Sequence, residues 1–304
     1  MRCADYGRLI LLAAIWGASF LFMRIAAPAW GAMNTAFFRV LFGFAGLLAI
    51  VFFIKVKVNF SGKFGVSLLL GVINSGVPFL MYCLAAKLLP AGYSAILNAT
   101  TPLMGVVLGS LFFHEALTVK KMSGVVLGLA GIALITATGA MVSLHAALLG
   151  SLACLVATGC YAVAGFLTRR WIAERGGLEA TLVATGSQLG ALLFLLPFFV
   201  YSIFTVPPIN WQRPDVWLCV LAVGVICTAF AYVLYFRLIA DIGALRALTV
   251  TFLIPPFGIL WGYFFLDERL SAGFIAGVAA IGIAIWLVVG EQNPAKNQSV
   301  RLRK

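Results

Sequence analysis

Three short stripes of polar and aromatic side chains have the types and spacing to recognise a small solute. Asn74, Pro78 and Tyr82 recur every four residues with Phe79 alongside, a spacing that gathers them on one face of a helix. Ser94, Asn98 and Thr101 form a second stripe shortly afterwards, and Thr228, Tyr232 and Tyr235 a third. Amides and hydroxyls both donate and accept hydrogen bonds. The aromatic faces of Trp16, Tyr82, Tyr161 and Tyr232 would hold an apolar side group. The substrate-binding set expected from these patterns is Trp16, Asn74, Phe79, Tyr82, Asn98, Thr101, Tyr161 and Tyr232. The competing reading is hydrogen bonding between helices, worth about 0.6 kcal/mol per contact; it applies most directly to Ser19, Ser94, Thr100 and Thr101.

All of these residues lie inside long apolar runs. The 304-residue chain is 63% hydrophobic and 10% charged, with mean hydropathy +1.10, against roughly 25% charged residues in soluble domains. Crossing about 30 Å of hydrocarbon as helix takes about 20 apolar residues. The sequence offers runs at about 8–28, 33–54, 64–88, 91–113, 120–139, 147–169, 178–203, 214–240, 244–266 and 271–290. These predict an all-α integral membrane protein of ten transmembrane helices embedded in a lipid bilayer. Little chain remains for a soluble catalytic or regulatory domain.

The net charge of +12 does not point to nucleic acid, because the basic residues are dispersed over short loops. Arg2, Arg8, Lys55, Lys57, Lys63, Lys120, Lys121, Arg169, Arg170, Arg175, Arg237 and Arg246 fall on one side of the alternating loops. Arg24, Lys87, Arg213 and Arg269 fall on the other. The positive-inside rule then puts both termini in the cytoplasm, with the basic tail 291–304 on that side. Five cysteines, Cys83, Cys154, Cys160, Cys219 and Cys227, lie within spans without paired spacing and read as small core residues. No metal and no cofactor is expected.

Acidic residues are as informative by their places. Asp5, Glu115, Glu174, Glu179, Asp215, Asp241, Asp267, Glu268 and Glu291 all fall in loops or at span ends. Proton-coupled cation transport through a midplane carboxylate is therefore disfavoured, and His114 and His145 are equally peripheral. Of the basic residues near the spans, Arg24, Lys87 and Arg237 are expected to snorkel to the interface, while the role of Arg39, well inside the second span, stays open.

The chain is also a duplication. A shift of 153 positions aligns Pro102 with Pro255, Gly105 with Gly258, Gly109 with Gly262, Phe112 with Phe265 and Glu115 with Glu268; self-similarity at a fixed period outranks any single motif. Trp16 falls on Tyr161 and Arg24 on Arg169 at a slightly different shift. Five spans repeating as five enter the membrane from opposite sides, which gives an inverted repeat with a central site. The expected units are residues 1–139, 140–290 and the tail 291–304.

Pro102, Pro255 and Pro256 interrupt helical hydrogen bonding at matched depths and read as hinges, or as packing kinks without a mechanistic role. Glu115 and Glu268 precede Thr118 and Ser271, which have the character of N-caps, and each carboxylate would favour the dipole of the helix that follows. Gly124-x-x-x-Gly128 and Gly273-x-x-x-Gly277 permit close helix contact, either within the chain or at a homodimer seam.

The paired elements Pro102–Leu117 and Pro255–Leu270, each closing on Phe-x-x-Glu-x-Leu, and the opening Trp16-Gly17-x-x-Phe20 are similar to the drug/metabolite transporter superfamily in its ten-helix EamA family. The resemblance implies a metabolite exporter of the cytoplasmic (inner) membrane and a cavity lined by spans one, three, four, six, eight and nine. It also implies packing of spans five and ten that supports dimers. The function expected is secondary export of a small metabolite such as an amino acid. The alternative is a passive facilitator or exchanger of an uncharged metabolite such as a purine or sugar. A membrane receptor or a membrane enzyme is a more distant reading, because neither histidine has a midplane partner.

Overall fold

A computed structural model describes residues 3–115, 117–138, 143–205, 209–242, 247, 250–268 and 271–289. The tail 291–304, Arg246, Arg269 and the expected start of the ninth span at 244 lie outside the described residues. Among the described residues eight helices are long and apolar enough to cross a membrane, and two more are apolar but shorter. In chain order they are α1 (Cys3–Trp30), α2 (Ala32–Ile54), α3 (Phe64–Leu88), α4 (Ala91–Phe112) and α5 (Val119–Thr138), then α6 (Leu144–Trp171), α7 (Ala180–Thr205), α8 (Pro214–Ile239), α9 (Val250–Leu266) and α10 (Ala272–Val289).

The distribution of apolar side chains is that of a bundle whose solvent is lipid. Phe52, Phe53, Leu111, Phe112, Phe204, Phe264 and Trp286 point outward and are exposed, far more apolar surface than a soluble monomer tolerates. Inside, a core to which all ten helices contribute includes Phe20, Met23, Phe79, Leu80, Tyr82, Leu97 and Leu195. The helices pair closely: α1 on α9, α2 on α7, α3 on α6 and α7, and α5 on α10.

The α5–α10 pair answers the glycine spacing. A Cβ on Gly124 would stand 2.8 Å from Val288 of α10, whereas one on Gly128 would overlap Leu103 of α4, so the groove these glycines open is filled by α10 and α4 of the same chain. Thr118 Oγ1 accepts from Lys121 N–H at 3.2 Å and Ser271 Oγ from Phe274 N–H at 3.0 Å, capping α5 and α10.

Three of the helices are irregular where the polar stripes lie. In α3 the stretch Val72–Gly76 is π-helical, with Val77 N–H bonded back to the Val72 carbonyl, and Pro78 follows without an N–H of its own. In α8 the stretch Ala222–Phe230 is π-helical as well, and the Thr228 hydroxyl donates to the Val223 carbonyl at 2.9 Å. α4 consists of two helical pieces, Ala91–Asn98 and Thr101–Phe112. α9, in contrast, runs through Pro255 and Pro256 unbroken.

Candidate functional site

A cavity of about 310 Å³ opens at mid-depth of the bundle, lined from α1 by Trp16, Ser19, Phe20 and Met23, from α2 by Arg39, and from α3 by Asn74, Phe79 and Tyr82. Asn98 and Thr101 of α4, Tyr161 of α6, Cys227, Thr228, Tyr232 and Tyr235 of α8, and Thr251 and Ile254 of α9 complete it. All eight residues expected to bind substrate therefore line one cavity. Met23, Cys227, Thr251 and Ile254 were not among the stripes read from sequence, and Arg39 adds a helix, α2, that the resemblance leaves out of the lining.

The π turn explains which residues of α3 face inward. A four-residue spacing would group Asn74 with Pro78, but a π turn advances the register by one residue. Asn74 and Phe79 consequently share the cavity wall with Tyr82, while Pro78 is buried away from it. The second stripe needs a similar correction. Ser94 is buried among α4 neighbours and does not reach the cavity, which only Asn98 and Thr101 of that stripe line.

Hydrogen bonds fix the polar groups. Tyr82 O–H donates to Asn98 Oδ1 at 2.8 Å, so α3 and α4 present a joined phenol and amide. Thr101 O–H donates to the Asn98 carbonyl at 2.7 Å and Thr100 O–H to the Leu97 carbonyl at 2.7 Å. Pro102 cannot donate to Asn98, its i−4 partner, and the Thr101 hydroxyl takes that place. The carbonyl freed by Pro102 is thus already occupied and is not an open ligand. Deeper in the bundle, Gln188 Nε2 donates to Ser75 Oγ at 3.0 Å. The aromatic wall is ordered by Trp16 against Tyr235 at 5.3 Å, Phe20 edge-on to Tyr82 at 5.4 Å and Tyr82 beside Tyr161 at 6.1 Å.

One end of the cavity is sealed. Every residue of α4 from Ala91 to Leu97 is buried. A Cβ on Gly17 would come 2.7 Å from Phe257 Cβ, and one on Gly258 would overlap Ala95, so α1, α4 and α9 cross there with no room for a side chain. Beyond the crossing, Glu268 accepts from the N–H groups of Ala91 at 2.8 Å and Gly92 at 3.3 Å. This carboxylate serves the N-terminus of α4 and not that of α10, as its position in sequence had suggested. Arg24 lies 3.9 Å from the same carboxylate and donates to the Ala86 carbonyl at 2.7 Å. It ties α1 to α3 and α9, where snorkelling to the interface was expected. Trp261 Nε1 donates to the Ala14 carbonyl at 3.0 Å and joins α9 to α1.

At the opposite end of α1, Arg8 pairs with Asp241 at 2.6 Å and with Asp5 at 3.4 Å, and Arg237 joins Asp241 at 3.1 Å. The cavity lies between these two charged layers, and among the described residues Arg39 is the single charged side chain that lines it. Among the described residues no three His, Cys, Asp or Glu side chains gather as metal ligands.

Known proteins give this geometry a context. The profile of the EamA-like transporter family matches residues 7–137 and again residues 148–290. The uncharacterized transporter YvbV of Bacillus subtilis is 26% identical over 97% of this chain and 95% of its own. An Escherichia coli protein named "Probable amino-acid metabolite efflux pump" is 22% identical over 92% of this chain and 93% of its own. A solved crystal structure superposes with TM-score 0.64 at 17% identity, covering 97% of this chain and 99% of that one; the likeness is one of fold. With a family match on both halves and apolar helices throughout, this multi-pass membrane protein belongs to the EamA-like transporter family.

Proposed function

We propose that the protein is a secondary transporter that exports a small metabolite, an amino acid or a related compound, across the cytoplasmic (inner) membrane by alternating access around the mid-depth cavity. The observation that carries this reading is an aromatic cavity with an amide and hydroxyls, sealed at one end by Gly17, Gly258 and Glu268, in a chain that matches a transporter family on both halves. The printed name of the Escherichia coli relative supports the amino-acid part. The two matched segments support two inverted five-helix units, 1–139 and 140–290, with both termini cytoplasmic and rocking of one unit on the other. In this scheme the break in α4 and the prolines of α9 are the flexing points, and Trp16, Asn74, Phe79, Tyr82, Asn98, Thr101, Tyr161 and Tyr232 contact the solute.

Counterflow of labelled solutes into proteoliposomes tests it. Asn98→Ala and Tyr82→Ala should each lower the rate about tenfold or more, the loss of a buried hydrogen-bonding partner costing about 1–3 kcal/mol, with membrane insertion unchanged. Wild-type rates in both would move the binding site elsewhere. Since no carboxylate or histidine lines the cavity, flux should be indifferent to an imposed pH gradient; a strong dependence would require a proton carrier outside it.

A further inference from the structure

Arg39 is the anomaly of the bundle. It sits inside α2, 6% exposed, and lines the cavity. Its guanidinium lies 3.5 Å from the centre of the Phe79 ring, and Nη1 donates to Met23 Sδ at 3.0 Å. A thioether is a weak acceptor. Among the described residues the buried Nε has no hydrogen-bond partner and no carboxylate shares the cavity. Guanidinium stays protonated in proteins, so a full positive charge faces this space without a counter-ion. A Cβ on Gly224 would stand 2.8 Å from the Arg39 carbonyl oxygen, so α8 packs closely on the backbone of α2 at this residue. An ionisable group placed inside the hydrocarbon region at such cost marks a functional contact.

We infer that Arg39 is the anion receptor of the cavity, and that the transported solute carries one carboxylate that docks on the guanidinium while its apolar part lies against the aromatic wall. This rests on the transport reading above. The planar fork of arginine matches a carboxylate with two parallel hydrogen bonds, and Nε is the kind of donor such a pair uses. Among the described residues Arg39 is the one cation in the lining, which favours a monoanion over a phosphate dianion. A solute that also bears an ammonium would find aromatic faces for it, so zwitterionic amino acids and neutral-tailed carboxylic acids both satisfy the site, whereas cations do not.

The test uses the full-length protein in proteoliposomes and a panel of L-amino acids, phenylacetate and benzoate, each beside its carboxamide, with phenyl phosphate as the dianion. The expected result is counterflow of at least one carboxylate, its carboxamide moving about ten- to a hundredfold more slowly, the range for a charge-assisted hydrogen-bonded pair. Arg39→Gln should reduce the carboxylate to the rate of its carboxamide, and Arg39→Lys should keep the preference at weaker apparent affinity. Purified Arg39→Gln should melt at or above the wild-type temperature, because it removes an unpaired buried charge; a purely structural arginine would lower it. Equal transport of carboxylate and carboxamide by the wild type, loss of preference in Arg39→Lys, or preference for phenyl phosphate would overturn the inference and leave transport standing. No movement of any solute by the wild type would overturn the transport reading itself, and the inference with it.

Discussion

α4 and α9 carry the same motif 153 positions apart, yet α4 is broken at Ala99–Thr100 and α9 is continuous through two prolines. Proline alone therefore does not set the break. The residues just before it differ: Thr100 and Thr101 of α4 are replaced by Leu253 and Ile254 in α9. Threonine hydroxyls bond the carbonyls of Leu97 and Asn98 and compete with the helical ladder, while Leu and Ile offer no such alternative. The glycines differ too. Gly258 is pressed against Ala95 and Gly17, whereas among the described residues nothing comes within 4 Å of a Cβ on its counterpart Gly105. On the transport reading proposed above, matched helices held in different conformations are what alternating access would exchange, opening one end and closing the other.

The largest expected effect distinguishes the two glycines. Gly258→Ala places a methyl into Ala95 and should cost about 1–3 kcal/mol, read as a lower melting temperature in detergent. Gly105→Ala should stay within about 0.5 kcal/mol of wild type. If closure of the other end brings Gly105 into the same crossing, Gly105→Ala will slow transport without destabilising the protein. Equal destabilisation by both substitutions would refute the asymmetry.

Next comes the seal. Glu268→Ala leaves the Ala91 and Gly92 N–H groups without their acceptor and should cost about 1–2 kcal/mol, the scale of a lost N-terminal cap. In a background lacking other cysteines, Asn98→Cys should then become more reactive to thiol reagents arriving from the Arg24 end. Unchanged reactivity would mean that the helix crossing alone closes this end.

Most of the helices, and the polar and aromatic part of the cavity wall, were legible in the sequence, because both rest on strong signals. Twenty-residue apolar runs leave little choice but helix, and a polar residue inside such a run must face a partner or a cavity. Trp16 and Tyr161 were visible because they occupy matched positions. The misses share a cause, since each depends on backbone detail that residue types do not encode. Pro78 was grouped with Asn74 because a 3.6-residue period was assumed where the chain makes a π turn. Glu268 was given to the helix next in sequence, when its partner, Ala91, is 177 residues away. The Arg24 contact with the Ala86 carbonyl is equally non-local. Arg39 was visible as a cation in a span, but only the packing of α2 on α8 shows that it faces the cavity without a carboxylate.

A smaller effect checks the role of the hydroxyls. Thr101→Val removes the group that satisfies the Asn98 carbonyl and should cost about 1 kcal/mol, with a further change in backbone amide exchange near Ala99. Ile254→Thr installs the reciprocal hydroxyl in α9. It should loosen exchange on the N-terminal side of Pro255, and because Ile254 is buried in the core it should also lower the melting temperature, by about 1 kcal/mol of stability. If exchange in α9 does not respond, the difference between the two helices originates in their packing and not in Thr100 and Thr101.

The weakest pair of substitutions concerns the features in which the two halves agree. Thr118 and Ser271 cap α5 and α10 through the same kind of bond, and these helices pack on each other away from the cavity. Thr118→Ala and Ser271→Ala should each cost about 0.5–1 kcal/mol and leave counterflow rates as they are, because neither helix end touches the solute path. The paired measurement separates a static scaffold from a moving one. A scaffold gives two equal, purely thermal effects, whereas a slower rate in one variant alone would show that the α5–α10 pair also changes conformation during the cycle, extending the asymmetry of α4 and α9 to helices that look equivalent.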